Sequence, residues 1–324
     1  MCTAITYKTQ VQYFGRNLDL ECSYGEAVTI TPRQFPFFFR KTAPLTRHYA
    51  IIGMAHIAEG YPLYYDAVNE AGVAMAGLNF PDNACYYPEA TEQDNIAPFE
   101  FIPWVLSQCA SLAQVRRLLH RTNLTAIPFS ADLPLTPLHW MIADTIGSIT
   151  VEPMENGLRI YDNPVGVLTN NPPFDFQLMQ LRSFLTLSRE PAENTFAHGL
   201  DLQPYSRGMG AMGLPGDLSS ASRFVRAAFT RLNSVSGTGE KESISQFFHI
   251  LDSVAQPRGC VHLGRGAYEC TLYTSCCNLD RGTYYYTTYE NRQITAVDLH
   301  CGDPEASSLT TYPLRATQSV FREN

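Results

Sequence analysis

The 324-residue sequence predicts a single α+β domain, with sheets completed by both ends of the chain and helices packed outside them. Three observations predict it. β-Branched and aromatic runs separated by Gly and Pro fill the first sixty residues, helix-start signals dominate the middle third, and hairpin-like stretches return near the C-terminus. No internal repeat, low-complexity tract or Gly/Ser linker marks a boundary, so residues 1–324 read as one domain.

The early strands are Ala4-Ile5-Thr6-Tyr7, Tyr13-Phe14-Gly15, Val28-Thr29-Ile30 and Tyr49-Ala50-Ile51-Ile52. Ser111-Leu112-Ala113-Gln114 reads as a capping box opening a helix with Leu112, Val115 and Leu119 on one face. Pro172-Pro173 precedes a helix over 174–187, since proline suits a first helical turn whose N–H groups are unpaired anyway. Another helix is expected over 222–232. Ser243-Ile244-Ser245-Gln246 reads as a second capping box, ahead of a helix over 247–254. Hairpins are expected over 139–151 around Gly147 and over 283–299 with a turn near Asn291. Phe35-Pro36-Phe37-Phe38-Phe39, flanked by Arg33, Arg40 and Lys41, is either a mobile apolar rim touching an amphipathic ligand or a buried strand or loop. Burial is the commoner fate of aromatic side chains.

Composition narrows the function. With 45% apolar and 17% charged residues the chain can bury a full core without disulfides or metals. A net charge of −8 with no Lys/Arg cluster argues against nucleic-acid binding. An anionic substrate would therefore have to be met by local cations such as Arg16 and Arg223. The N-terminus lacks a secretory pattern, and no run approaches transmembrane length. Nine irregularly spaced cysteines fit free thiols in a reducing compartment, so a cytoplasmic protein without stable membrane association is expected.

Cys2 follows the initiator methionine. Cysteine is small enough for Met1 to be removed, and the mature chain would then carry thiol and α-amine on one residue. Their ordinary pKa values, about 8.5 and about 7.7–8.0, make proton transfer between them nearly balanced. The next strand, Phe14-Gly15-Arg16-Asn17-Leu18-Asp19, supplies a cation and a carboxylate three residues apart. With a bend, these could serve thiolate and ammonium respectively. Taken alone, Cys2 is an accident of sequence and Arg16 with Asp19 a surface ion pair.

Met1-Cys2-Thr3 and Phe14 to Asp19 are followed by Gly77-Leu78-Asn79-Phe80-Pro81, Leu138-His139-Trp140-Met141-Ile142 and Gly166-Val167-Leu168-Thr169-Asn170-Asn171-Pro172. Gly213-Leu214-Pro215-Gly216-Asp217, Ala221-Ser222-Arg223-Phe224 and Tyr273-Thr274-Ser275-Cys276 complete the series. In order and spacing, over nearly the whole chain, these resemble the choloylglycine hydrolase family, which contains bile salt hydrolases and penicillin V acylases. The resemblance implies the αββα four-layer sandwich of N-terminal-nucleophile hydrolases, with two antiparallel sheets between helical layers. It implies Cys2 as nucleophile, Arg16 and Asp19 holding its sulfur and amine, Asn79 and Asn170 as oxyanion donors from backbone and side chain, and Arg223 as a catalytic-site arginine. Without it, Asn170 is a turn residue before proline and Arg223 a helix-surface residue.

The activity so implied is cleavage of the amide of glycine- or taurine-conjugated bile salts through a Cys2 thioester. It needs no cofactor or metal, and amine N-acyltransfer is a side activity. Asn79 favours bile salt over penicillin V, since the acylases tend to carry Tyr there. Leu18, Phe129 and Leu133 match positions lining a steroid pocket, with core packing as the alternative. Arg207, in Ser206-Arg207-Gly208, is a candidate partner for a taurine sulfonate. A homo-oligomer is expected, tetramers being common in the family. The first hairpin, between Lys8 and Phe14, is shorter than the family pattern. The competing classes are a non-catalytic binder of amphipathic ligands that keeps Met1, and a metal site of Cys260, His262, His300 and Cys301, which lacks Cys-x-x-Cys geometry.

Overall fold

The computed structural model describes residues 1–324. The chain opens with the hairpin β1 (Cys2–Lys8) and β2 (Gln12–Leu20), then β3 (Ala27–Thr31), β4 (Ile51–Ala58), β5 (Tyr61–Asn69) and β6 (Ala74–Asn79). A short parallel pair, β7 (Asp94–Ile96) and β8 (Thr122–Leu124), brackets α1 (Phe101–Leu106) and α2 (Leu112–Leu119). Next come β9 (Leu138–Ala143), β10 (Ser148–Met154), β11 (Gly157–Asp162) and β12 (Val167–Leu168). Three helices, α3 (Phe174–Gln180), α4 (Ser220–Asn233) and α5 (Glu240–Asp252), precede β13 (Val261–Gly264), β14 (Ala267–Asn278), β15 (Thr283–Thr288), β16 (Asn291–Asp298) and β17 (Thr310–Pro313). No helix is long and apolar enough to cross a membrane.

Two antiparallel sheets form the centre. One runs β12-β1-β2-β14-β15-β16, with β13 also paired to β14, and the other β11-β10-β9-β6-β5-β4-β3-β17. Helices α4 and α5 pack on the first sheet and α1 on the second, which gives the expected four layers. Period-2 alternation sorts side chains between them. In β9, Met141 and Ala143 join the core between the sheets, whereas Trp140 and Ile142 join the core under α1 and α2. β1 is buried on both faces from Cys2 to Tyr7, as a central strand with layers on either side must be.

Several local expectations need adjusting. β4 begins at Ile51, two residues later than the apolar run. Ser111 does cap α2, accepting from Gln114 N–H, but the Gln114 side chain reaches back to Ala110 rather than to Ser111. α5 starts a turn before the Ser243 box: Glu242 accepts from the Gly239 N–H at 2.9 Å, and the Ser243 hydroxyl lies inside the helix, donating to Gly239 O. α3 stops at Gln180 and tightens into a 3-10 turn over Leu181–Phe184. Phe37 and Phe39 are buried under the second sheet, while Phe38 is exposed, so the Phe-rich stretch is mainly core. All nine cysteines are free.

Candidate active site

Register sets the site. Cys2 lies opposite Leu18, and Thr3 opposite Asn17. Because faces alternate along a strand, Leu18 and Arg16 share the face of Cys2, and Asp19 points the other way. The spacing of three thus sends Arg16 between the sheets and Asp19 towards the helices. β2 itself stays in register with β1 throughout, so no bend in it is needed; the nearby irregularity is in β14, where Leu272 is an extra residue between the partners of Leu18 and Asp19. The short hairpin leaves pairing from Cys2 to Lys8 intact, so only the turn differs.

Arg16 is fully buried. Its Nη1 donates to Tyr65 O at 3.0 Å and to Gly77 O, in the gap where β5 and β6 separate beyond the Asp66–Ala76 pair. Its Nη2 has no protein partner. Burial opposes the Arg16 charge, but the Cys2 sulfur, Tyr273 and Asp66 outweigh it and hold the proton more tightly than usual. Asp19 accepts from Thr271 Oγ1 at 2.6 Å and Gln256 Nε2 at 3.3 Å. Burial pushes its carboxyl up, and Arg223, 3.9 Å away, works against that rise.

Met1 extends β1 by one residue: Asp19 N–H donates to Met1 O at 3.0 Å, and the Met1 ammonium donates to Asp19 O at 2.9 Å while touching the buried Glu269 carboxylate. In this form the Cys2 nitrogen is a peptide N–H. It donates to Asn170 Oδ1 at 2.7 Å.

Asn170 follows β12 and is fixed by Ser220 Oγ, which accepts its N–H at 2.8 Å, and by Gln177 Nε2, which donates to its carbonyl at 2.6 Å. Its Oδ1 also accepts from Arg223 Nη2 at 2.9 Å, and its Nδ2 donates to Asn79 O at 2.7 Å, leaving one N–H unclaimed. Phe80 N–H bonds Pro137 O, which places Asn79 opposite Leu138 in a non-hydrogen-bonded pair with its own N–H turned out of that ladder. Arg223 is fully buried in the first turns of α4, whose N-cap Ser219 accepts from Ser222 N–H. It donates to Cys2 O at 2.6 Å, to Thr3 Oγ1 and to Leu218 O, so its fork ties Cys2 to Asn170.

The model of the linear amide C–N hydrolases of the choloylglycine hydrolase family matches residues 2–312. The chain belongs to this family. It is 53% identical, over the whole of both chains, to the bile salt hydrolase/transferase of Lactiplantibacillus plantarum. Its fold matches the C2A mutant of the conjugated bile acid hydrolase from Clostridium perfringens with a TM-score of 0.93, at 37% identity and full coverage of both chains. The penicillin V acylase of Agrobacterium tumefaciens shares the fold alone, with a TM-score of 0.76 and 19% identity over 96% of this chain and 90% of that one. The choloylglycine hydrolase fold thus accounts for the four layers, and the enzyme class is a hydrolase of linear amide C–N bonds.

In this family member a cavity of about 420 Å3 brings together Cys2, Arg16, Asn79, Leu18, Phe129 and Leu133. Asp19, Asn170 and Arg223 are absent from its lining: Asn170 touches Cys2 and Asn79, Arg223 touches Cys2, and Asp19 lies behind Arg223. Arg207 is exposed, in the segment before a 3-10 turn at Met209–Ala211, and lies outside the cavity. Thr271, Gln256 and Ser220, which hold Asp19 and Asn170, were not expected. Ser220 adjoins the Ala221 motif and Thr271 lies two residues before Tyr273, whereas Gln256 lies in no such motif. Cys260, His262, His300 and Cys301 are all exposed, and no group of three or more His, Cys, Asp or Glu side chains is placed to hold a metal ion.

Proposed function

We propose that the chain is a bile salt hydrolase, which, once Met1 is removed, cleaves the amide joining a bile acid to glycine or taurine and releases free bile acid and amino acid. The observation that carries this reading is a cavity of about 420 Å3 that holds Cys2, Arg16 and Asn79 together with the apolar Leu18, Phe129 and Leu133. That volume and lining suit a flat hydrocarbon acyl group. The relatives' names point to the same substrate, and the word transferase in one of them supports an amine N-acyltransferase side activity.

In the proposed cycle the freed α-amine of Cys2, held by Asn170 Oδ1, takes the thiol proton, and Arg16 favours the thiolate. The sulfur attacks the amide carbonyl. Asn79 N–H and the unclaimed N–H of Asn170 receive the oxyanion, and collapse expels the amine as it takes the proton back from the α-ammonium. Water, deprotonated by the α-amine, then hydrolyses the thioester. Arg223 acts by orienting Asn170 and Cys2, since all its bonds are made within the protein. No cofactor enters the cycle.

A cytoplasmic homo-oligomer, as a tetramer, belongs to the same reading. Phe176, Met179, Leu185, Phe196, Tyr205 and Met212, all exposed and all between residues 176 and 212, are apolar side chains that a second copy would cover. Preference for taurine over glycine conjugates depends on Arg207 reaching a substrate tail from outside its own cavity.

The test is amino-acid release from taurocholate, glycocholate and penicillin V by protein whose N-terminus is checked by intact mass, with Cys2→Ser as control. Bile-salt cleavage abolished in Cys2→Ser supports the reading, and preferred cleavage of penicillin V replaces the substrate. Retained Met1 without turnover favours the non-catalytic binder.

A further inference from the structure

We infer that Arg40 is a specificity-determining positioning residue, which sets the acyl cavity by clasping two of its wall elements together from outside. Phe99 and Phe129 both line the cavity. Phe129 belongs to the loop between β8 and β9, and Phe99 to the 3-10 turn Pro98–Glu100 ahead of α1. They come from separate parts of the chain, yet their rings meet edge to face with centroids 5.2 Å apart.

Arg40 reaches both elements. Its guanidinium lies 5.7 Å from the centroid of each ring and donates through Nη2 to Phe129 O at 2.9 Å. Its backbone N–H donates to Glu100 Oε1 at 2.6 Å, while Glu100 Oε2 accepts from Ala97 N–H at 2.9 Å and closes the turn carrying Phe99. One residue thus fixes the turn through its main chain and the loop through its side chain.

The loop has little else to hold it. Between Thr125, whose N–H donates to Ile96 O, and Thr136, whose carbonyl accepts from Tyr86 Oη, its other hydrogen bonds are internal, joining Ile127 to Thr125 and Ser130 to Leu133. The Arg40–Phe129 bond is the one hydrogen bond tying residues 126–135 to the rest of the protein. The same loop supplies Ile127, Pro128, Leu133 and Leu135 to the cavity, so the clasp governs where a large part of its wall stands.

The inference rests on this cavity being the acyl site. It is tested with the processed full-length enzyme as Arg40→Ala and Arg40→Lys, on glycocholate and by hydrogen exchange over 125–136. Because Arg40 is exposed, both variants are expected to fold. In Arg40→Ala the loop should lose protection and KM should rise about fivefold, as forfeiting roughly one charged contact implies, while kcat stays within twofold. Arg40→Lys, which keeps a cation over the rings, should recover part of both effects. Unchanged exchange refutes the clasp, and changed exchange with an unchanged KM and an unchanged kcat/KM ratio of glycocholate to penicillin V refutes its role in specificity. If the wild type cleaves neither glycocholate nor taurocholate, the substrate reading falls, while the exchange comparison still decides the clasp and penicillin V serves for the KM comparison.

Discussion

Replacing Asn170 with alanine tests the site at the residue that joins Cys2, Asn79 and Arg223. Its side chain accepts from Cys2 N–H and Arg223 Nη2 and donates to Asn79 O, all within 2.7–2.9 Å. Two effects follow and are read separately. The oxyanion loses its side-chain donor, which costs on the order of 100- to 1000-fold in kcat, about 2.7–4 kcal/mol. KM should change little, because that bond forms only in the transition state. Stability falls by roughly 1–3 kcal/mol for each buried partner left unmade, which lowers Tm by about 1.5 °C per kcal/mol for a chain of this length. Arg223 keeps Cys2 O, Thr3 and Leu218 O as acceptors, so the helix should stay docked. Asn170→Asp separates the roles: it retains an acceptor for Cys2 and Arg223 but supplies no donor, so kcat should stay low. Steady-state kinetics on taurocholate with thermal melts are the assay. A folded Asn170→Ala enzyme with kcat within about threefold of wild type would refute the oxyanion role, since one lost donor is worth far more than that.

Arg223→Met should cost about 3–5 kcal/mol by leaving Asp19 buried without its cation, whereas Arg223→Lys keeps charge but not the fork and should lose more in kcat than in melting temperature. Equal melting of Arg223→Met and wild type would show that the pair contributes nothing. Asp217 carries a pH prediction. Hydrogen bonds from Ser219 and Ser222 hold its carboxyl down at about 2, below the ordinary 3.8. Its contribution to stability is therefore complete above about pH 4 and is lost as pH falls through 2. Melts of Asp217→Asn between pH 5 and 2 should slope less than wild type, and parallel slopes would rule the contribution out.

Much of the reacting end was legible because it is local. Cys2 begins the chain, and Arg16 with Asp19 sits on the next strand at an odd spacing, which in any β-strand means opposite faces. What that spacing could not reveal is that Arg16 ends on backbone carbonyls of Tyr65 and Gly77, which any residue type could supply. Asn170 and Arg223 read as turn and helix surface because their partners lie 168 and 221 residues away, at Cys2. The sheet order has the same cause, since β3 beside β17 and β6 beside β9 are pairings that no local pattern encodes. The proline pair marks where the 174–187 helix starts but carries no signal for where it stops, and the α-helix ends at Gln180. Leu185 is exposed, so within one chain it has nothing to pack against. The α5 start was misplaced because its box uses Gly239 with Glu242, a pair without the hydroxyl that advertises a cap.

Met1 gives the ladder a last rung. Its main chain exchanges both bonds with Asp19, and its ammonium sits against Glu269. Cutting one peptide bond therefore alters four groups together: the Cys2 nitrogen becomes an amine, the Asp19 N–H and C=O lose their partners, and a buried carboxylate loses its cation. Met1 thus plugs polar groups rather than the cavity: its departure would free the Cys2 amine and unpair Asp19 and Glu269 in the same stroke.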